Sequence, residues 1–393
     1  MYYITDYGVD KSADRLVALE DSIMQKEKPV TAGSKILSGF VSPFDATVVS
    51  RLEAGGYTIA GKTKMREFGL LPLCENEAEL PYEVRNTQID NEGTWSRGSK
   101  TEASGAVRAV ADGAVTFALC NDFSGITRRE ACENGICYIH PTYGTVSRYG
   151  LIPAASSMDQ IGVACKDAGE GFALLSVIAG KDEKDGAMFP EKSFEYKALD
   201  KRIKMLVPEN VMAKAVPEDK AAVLELAKHF DAVSGELPYF GAFRQVQYIL
   251  SCAEISANIS RYDGIKFGCR TENYNSLEEL YVNTRTEAFG PDAKLAAVMG
   301  SMVLSKERYK PYYEKALKLR RVIKESLSFE GYDVIVLPSR ITGGIYENSA
   351  VYAPQTLAGL PGVSFPYGGG GVLMLAKVKN ENALLTVLEA VSQ

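Results

Sequence analysis

Lys62 is a candidate for a functional residue because of its position at the end of a predicted strand. Residues 57–62 read YTIAGK, and their alternation predicts a short strand with Lys62 at its carboxyl end. In open α/β sheets, ligands bind at the carboxyl ends of the strands. Lys62 is therefore a candidate for a functional site, and the alternative is a salt-bridged lysine at the end of a strand.

Two further groups of residues match known kinds of site only in part. Cys132, Cys137 and His140 are of metal-binding types, but their spacing lacks the two pairs of a strong zinc motif, and His229 is the only other histidine. The run of four glycines at 368–371 lacks the lysine and the serine or threonine of a phosphate-binding loop. We therefore expect no metal site and no cofactor, and we expect the glycine run to form a turn.

The composition is that of a globular protein. Hydrophobic residues make up 46% and charged residues 24% of the 393 residues, which argues against disorder. No apolar run reaches the ~20 residues of a membrane-spanning helix, and the first residues lack the pattern of a signal peptide, so we expect a cytoplasmic protein without membrane contact. The formal net charge of −6 disfavours direct binding to a nucleic acid.

Apolar periodicity predicts helices and strands that alternate along most of the chain. Residues 42–45, SPFD, are typical of the start of a helix, residues 168–180 read as a helix, and residues 203–208 read as a strand. From residue 243 to about residue 327 the chain reads as mostly helical. This order predicts an α/β fold with a mixed, mainly parallel central sheet flanked by helices. Without an internal repeat or an interdomain linker, residues 1–393 are expected to form a single domain.

Two longer segments resemble the amidase signature family. They read GKTKMREF at residues 61–68 and PTYGTVSRYGLIPAASSMDQIG at residues 141–162. Within that family the chain is similar to the glutaminase (A-type) component of the glutamyl-tRNA(Gln)/aspartyl-tRNA(Asn) amidotransferase, which implies an amidase-signature fold. The similarity runs from about Val30 to the C-terminus, and it includes further matching segments at residues 44–56, 260–268, 283–290, 332–339 and 356–366.

The resemblance implies a mechanism with a serine nucleophile, a bridging serine and a lysine that exchanges protons with it. Lys62 is assigned to the lysine, which would have to be neutral and hence buried, because its usual pKa is ~10.4. The family loop GGSSGGSA aligns with KTEASGAV at residues 100–107, which puts Glu102 at the bridging-serine position. A carboxylate there would keep Lys62 charged, whereas a shift of two residues would place Ser104 at this position instead.

The nucleophile segment is where the chain departs most from the family. The family sequence GTDTGGSIRQPA aligns with CNDFSGITRREA at residues 120–131, and the nucleophilic serine becomes Ile126. Isoleucine has no nucleophilic atom. Asp122, Gly125 and Arg128 match the family.

Three nearby residues carry a hydroxyl or a thiol. Ser124 replaces the first glycine of the oxyanion site, where it would join Gly125 in contacting a substrate. Thr127 and Cys120 lie one and six residues from position 126. Thr127, Ser124 and Cys120 are the candidate nucleophiles of a rearranged site.

The substrate-binding residues of the family are retained only in part. Arg285 matches an arginine that, by the resemblance, helps to hold glutamine, whereas Ser349 replaces the aspartate that binds its ammonium group. The family's N-terminal helices and its first conserved strand, GIPVAIKD, are expected to be absent or replaced by residues 1–30.

We therefore expect an amidase-lineage pseudoenzyme that binds or scaffolds a partner. The alternative is a functioning glutaminase subunit for tRNA-dependent amidation, or a small-amide amidase, with a rearranged nucleophile. The expected partners are amidotransferase B- and C-like subunits, and a small amide or an amino acid is the expected ligand.

Overall fold

The computed structural model describes residues 2–10, 15–70, 87–89, 95–97 and 104–392. Within them the strands are β1 Tyr3–Asp6, β2 Leu16–Glu20, β3 Thr58–Thr63, β4 Thr87–Ile89, β5 Trp95–Arg97, β6 Phe117–Asn121, β7 Cys137–His140, β8 Ile161–Cys165, β9 Lys204–Pro208, β10 Asp231–Gly235, β11 Val334–Pro338, β12 Gly362–Tyr367 and β13 Gly370–Ala376. The helices are α1 Thr47–Ala54, α2 Gly105–Ala111, α3 Ile126–Glu133, α4 Ala168–Ile178, α5 Glu209–Met212, α6 Pro217–Ala227, α7 Phe240–Ile259, α8 Leu277–Ala288, α9 Pro291–Leu304, α10 Lys315–Ser326, α11 Ile345–Ala358 and α12 Glu381–Val391.

Eleven strands form one mixed sheet in the order β1-β3-β2-β6-β8-β7-β12-β13-β11-β9-β10, while β4 and β5 pair separately. Strands β3, β2 and β6 are parallel to one another, and so are β11, β9 and β10. The other neighbouring pairs of the large sheet are antiparallel. The expected α/β fold with a mixed sheet flanked by helices is confirmed. The expectation that the sheet is mainly parallel is wrong, because an antiparallel centre joins its two parallel blocks.

The antiparallel pairing of β12 with β13 depends on the glycine run. Gly368 and Gly369 connect the two strands and have φ angles of 55° and 82°. Residues with side chains rarely adopt positive φ, whereas glycine does so readily, and two such residues fit the tight turn of a hairpin. The first two glycines of the run therefore form the predicted turn, whereas Gly370 and Gly371 begin β13. The turn reverses the chain into a neighbouring antiparallel strand.

The sheet lies between two apolar layers. In β11, Ile335 and Leu337 join the cluster that contains α7, α9, α10 and α11, while Val334 and Val336 join the cluster that contains α1, α4, α6 and α12. Successive strand residues point to opposite faces of a sheet, so each strand of this kind contributes to both layers. A smaller third cluster packs α2 against β2 and β6.

The first helix begins later than the sequence predicts. α1 starts at Thr47, and Ala46 precedes it in an extended conformation. Ser42 does not cap the helix, because its hydroxyl donates to the carbonyl of Phe44 at 2.6 Å. The prediction of a helix start at residues 42–45 is therefore wrong.

In the part of the chain that the structure describes, no helix combines the length and the apolar character needed to cross a membrane.

The contact between α7 and α9 depends on a glycine. A Cβ atom at Gly300 of α9 would lie 2.1 Å from the carbonyl oxygen of Cys252 in α7. Gly241, near the start of α7, has open space where a Cβ would point. The two positions therefore differ in packing, although both are helical glycines.

We expect Gly300→Ala to lower the free energy of unfolding by about 1–3 kcal/mol, because the helices must separate to admit the methyl group. Gly241→Ala is the matched control, and it should leave stability unchanged or raise it by up to about 1 kcal/mol. Urea unfolding followed by circular dichroism measures both. Equal effects of the two substitutions would contradict this explanation of the helix contact.

Candidate functional site

Lys62 lies at the carboxyl end of β3 and is fully buried. Its Nζ donates a hydrogen bond to the carbonyl oxygen of Ile23, and it lies 3.9 Å from Oδ1 of Asp21. Burial lowers the pKa of Lys62 to about 8, against the opposing effect of Asp21 and Glu20. Lys62 therefore faces a carboxylate, but this carboxylate belongs to residue 21.

The predicted pairing of Lys62 with Glu102 stays a prediction, since Glu102 lies outside the described residues. Ser104, the alternative bridging residue, is described and caps α2: its Oγ accepts a hydrogen bond from the Val107 amide at 3.3 Å. The Ser104 amide donates to Oε2 of Glu130 at 3.0 Å. These contacts give Ser104 a structural task at the start of a helix.

No sequence motif singled out the two acidic residues at the end of β2. Glu20 and Asp21 are both buried, and burial raises the pKa of Glu20 to about 8 and also raises that of Asp21. Oε2 of Glu20 accepts hydrogen bonds from the Asn121 amide and from the Ser22 hydroxyl, both at 2.9 Å. The sequence nonetheless contains a feature that could have identified them, because these two acidic residues directly follow the apolar run LVAL at residues 16–19.

β2 separates Lys62 from the segment that should carry the nucleophile. β2 lies between β3 and β6 and pairs with both in parallel. The Glu20 carboxylate accepts a hydrogen bond from the amide of Asn121, at the end of β6, where the nucleophile segment begins. Lys62 instead donates its hydrogen bond to the carbonyl oxygen of Ile23. The structure does not join Lys62 to residues 120–126 by any hydrogen bond or ion pair among the described residues.

The nucleophile segment is a tight turn between β6 and α3. The Asp122 carboxylate accepts hydrogen bonds from the amides of Gly125 and Arg128 at 2.8 and 2.9 Å. Gly125 has a φ of 89°, and a Cβ there would lie 2.3 Å from the Cβ of Tyr352. Ile126 is the first residue of α3 and is buried. The turn keeps a compact shape, with an apolar side chain at the expected nucleophile position.

The three candidate substitute nucleophiles occupy different surroundings. Cys120 is fully buried in β6, and burial raises its pKa well above the usual value, which disfavours the reactive thiolate. Thr127 is buried in the first turn of α3. Ser124 is also buried, and it lines a cavity beside the turn.

This cavity, between the turn and helices α7, α9 and α11, is the candidate ligand site. Its empty volume is about 440 Å³, open solvent included, but the space that a water-sized sphere can enter is about 20 Å³, which is room for about one water molecule. Ser124 and Ser349 both line this cavity, and their role in binding a substrate stays a prediction. The cavity is lined by Leu70, Phe123, Ser124, Arg244, Gln247, Tyr248, Ser251, Cys252, Ile255, Ala296, Tyr346 and Ser349.

Arg285, the arginine predicted to hold a substrate, does not line this cavity, whereas Arg244 does. The guanidinium of Arg285 donates to the carbonyl oxygens of Ile259 and Tyr262 at 3.3 and 3.2 Å, at the end of α7, and Arg285 is not among the residues that line the cavity. Arg244 of α7 does line it and pairs with Glu347 at 2.8 Å. No sequence motif singled out Arg244, because its position depends on the packing of α7 against α11.

Across the described residues, no group of three or more histidine, cysteine, aspartate or glutamate side chains is arranged to hold a metal ion.

The buried acids predict how stability depends on pH. Glu20 has a pKa of about 8 and Glu67 of about 7 in the folded protein, against 4.5 for an ordinary glutamate. Between these values the folded state binds more protons than the unfolded state, so the free energy of unfolding falls as pH rises from about 4.5 to about 8.

Glu20→Gln should reduce this pH-dependent loss in the free energy of unfolding by up to a few kcal/mol, because one pKa unit corresponds to ~1.4 kcal/mol. Urea unfolding at pH 5 and pH 8 measures the difference, with the exposed Glu389→Gln as the control. An unchanged pH dependence in Glu20→Gln would contradict the assignment of a raised pKa to Glu20.

Known proteins share both the sequence and the fold. The profile of the family described as Amidase matches residues 16–369. The A component of the glutamyl-tRNA(Gln) amidotransferase of Bacillus pumilus is 35% identical over 406 residues, which cover 96% of this chain and 82% of the relative. The same component in Lachnoclostridium phytofermentans is 35% identical over 380 residues, covering 90% of this chain and 75% of the relative.

Solved structures share the architecture as well. The A component of the glutamyl-tRNA(Gln) amidotransferase from Thermotoga maritima superposes with a TM-score of 0.74 at 25% identity, covering 99% of this chain and 86% of that chain. A 6-aminohexanoate cyclic dimer hydrolase shares the fold, with a TM-score of 0.74 at 19% identity over 97% of this chain and 84% of that chain.

The family match starts at residue 16, where β2 also starts, and not near Val30 as the sequence motifs suggested. The residues before Val30 thus supply a strand of the matched region. With a match over most of its length, these relatives and this fold, the chain belongs to the amidase family.

Proposed function

We propose that this chain resembles the A component of the amidotransferase in fold, has lost serine amidase chemistry, and acts as a binding or scaffolding subunit. The observation that carries the proposal is Ile126, an apolar side chain at the start of α3, in the turn where the family places its nucleophile. Loss of the nucleophile in a serine hydrolase costs ~10⁶ in turnover. The structure contains the turn but has an isoleucine at the nucleophile position. This combination supports a retained fold and a lost reaction.

The proton path is altered as well. The segment LVALED at residues 16–21 aligns without gaps with PVAIKD of the family strand GIPVAIKD, which puts Glu20 opposite a lysine. Glu20 adjoins Asn121, at the start of the nucleophile segment, whereas Lys62 contacts Ile23 and Asp21. Position 20 is thus better placed than position 62 for a lysine that serves the nucleophile. Here it carries an acid.

The alternative, a rearranged nucleophile, has its best candidate in Ser124, which lines the cavity. A serine hydroxyl needs an adjacent base that takes its proton. The Asp122 carboxylate lies 3.4 Å from the Ser124 hydroxyl, but its oxygens already accept from Gly125 and Arg128. Asp122 is therefore engaged as a structural acceptor.

The purified protein should release no ammonia from glutamine above the background of buffer, because the nucleophile position carries Ile126. A coupled glutamate dehydrogenase assay measures the release. Release that disappears on Ser124→Ala, Thr127→Ala or Cys120→Ala would contradict the proposal and identify the substitute nucleophile. Ammonia-releasing activity that co-purifies with the protein and persists in all three variants would also contradict the proposal.

Ile126→Ser is the informative gain-of-function variant. It restores a hydroxyl but leaves Glu20 in place, and catalytic groups that act as a unit contribute non-additively. We expect the single variant to stay below detection in the same assay. Strong glutaminase activity in Ile126→Ser would show that an intact proton path remains.

As partners we propose amidotransferase B- and C-like subunits in the cytoplasm, because the relatives are named as subunits of an amidotransferase. Exposed apolar side chains on two helices that are consecutive in the chain are candidates for a protein interface. Leu277 and Val282 of α8 are 59% and 56% exposed, and Val298 of α9 is 64% exposed. Exposed apolar residues mark interaction sites where they form a contiguous patch.

Val298→Glu should therefore strongly reduce complex formation with co-expressed B- and C-like subunits of the same genome, as measured by size-exclusion chromatography with light scattering. Val233→Glu, which changes an exposed apolar residue of the edge strand β10, is the matched control. A complex that forms equally with Val298→Glu would refute this interface. A genome without such subunits would refute the choice of partner.

A further inference from the structure

Helix α9 is apolar on two opposite faces. The face against α7 carries the buried residues Ala293, Ala296, Gly300 and Val303. The opposite face carries the exposed residues Leu295, Val298 and Met302. No charged residue occurs from residue 295 to residue 304. A helix that is apolar on all sides is normally buried, so the exposed face of α9 is suited to contact with another protein.

The spacing on the exposed face indicates the shape of what it binds. Leu295, Val298 and Met302 follow one another at intervals of three and four residues, which places them in one row along the helix. Such a row has the spacing of the a and d positions through which one α-helix packs against another. At about 1.5 Å per residue, the row is about 10 Å long, which corresponds to about two turns of a partner helix.

The segment that follows α9 is strongly basic. Residues 306–324 contain eight lysines and arginines and two glutamates, although the net charge of the whole chain is −6. Within this segment, Lys318 and Arg321 pair with acidic side chains of the same helix. The exposed cations that form no ion pair with an acid in the described part of the chain are Lys306, Arg308, Lys310, Lys315 and Lys324. Unpaired positive charge therefore accumulates on this part of the surface.

The basic segment adjoins the apolar row. Residues 305–308 connect α9 to residues 309–314, a short helical segment that contacts both α9 and α7 and continues into α10. Lys306 and Arg308 lie two and four residues after Leu304, the last residue of α9. A partner that covers the apolar row therefore meets cations at one end of it, where carboxylates are favoured and further cations are repelled.

We propose that this surface binds an acidic amphipathic helix of a partner subunit. The apolar side chains of that helix contact Leu295, Val298 and Met302, and its carboxylates pair with Lys306 and Lys310. A nucleic acid would match the cations but not the row of apolar side chains, and a second copy of this surface would bring cations where carboxylates are needed. The inference rests on the proposed function, because it states the chemistry by which the partner subunit contacts α9.

Charge reversal at two lysines tests the electrostatic contribution. Lys306→Glu combined with Lys310→Glu should weaken binding of the full chain to purified B- and C-like subunits of the same genome by about tenfold or more, because carboxylates would then meet carboxylates. Biolayer interferometry measures the affinity. The matched control combines Lys166→Glu with Lys220→Glu, at exposed positions just before α4 and in α6, on the other side of the sheet. This control changes the net charge equally and should leave the affinity unchanged.

Zero-length crosslinking locates the partner element. A carbodiimide joins a lysine amine to a carboxylate that contacts it, and mass spectrometry of the purified complex should show Lys306 or Lys310 joined to aspartate or glutamate residues of one partner helix. Raising NaCl from about 50 to about 500 mM should weaken binding of the unmodified chain and of the control, but not of the charge-reversed variant, because salt screens pairs of opposite charge.

Two results in a complex that forms would overturn the inference alone: equal affinities of the two double variants, or the absence of crosslinks to partner carboxylates at both lysines. Binding of total tRNA that Lys306→Glu with Lys310→Glu abolishes would assign the surface to a nucleic acid instead. A dimer of the chain alone that Val298→Glu dissociates would assign it to a second copy. Failure of the unmodified chain to bind the subunits would refute the proposed choice of partner, and this inference with it. The two failures are therefore distinguishable.

Discussion

The turn at residues 122–128 depends on one buried ion pair. Arg128 and Asp122 are both buried and lie 2.9 Å apart, and the guanidinium also donates to the Asp122 carbonyl and to Gln355 of α11. Removing either partner of such a pair would leave an uncompensated buried charge, which is strongly destabilising. The pair thus connects the end of β6 to α3 and α11, and the residue at position 126 takes no part in it.

This constraint is compatible with the proposed loss of the reaction. Gly125 packs against Tyr352, and Ile126 fills buried space at the start of α3, so both satisfy the packing of the turn. By the family resemblance, the nucleophilic serine belongs at position 126, whereas the hydrogen bonds of Asp122 go to other residues. Under the proposal, stability and catalysis depend on different residues of the same turn, so that the catalytic residues can change while the structural ones are kept.

The sequence predicted the elements better than their pairing. Periodicity and turn residues located β3, β9, α4 and the helical stretch after residue 243, because these signals are local. The antiparallel centre could not be predicted in the same way, since β7 pairs with β12 across a long stretch of intervening chain. The sequence motifs did not identify β2, because its role shows only in its position between β3 and β6.

Motifs that are continuous in the sequence named candidate site residues, and contacts between distant segments added another. Ser124, Gly125 and Ile126 lie in one aligned segment, whereas Arg244, which no motif singled out, lines the same cavity as Ser349 only because α7 packs against α11. The most direct test of the proposed loss of serine chemistry is the mass of the intact protein after incubation with a fluorophosphonate, which modifies activated serine nucleophiles. A chain without such a nucleophile keeps an unchanged mass, and an adduct mapped by peptide sequencing to Ser124 or Thr127 would contradict the proposed loss.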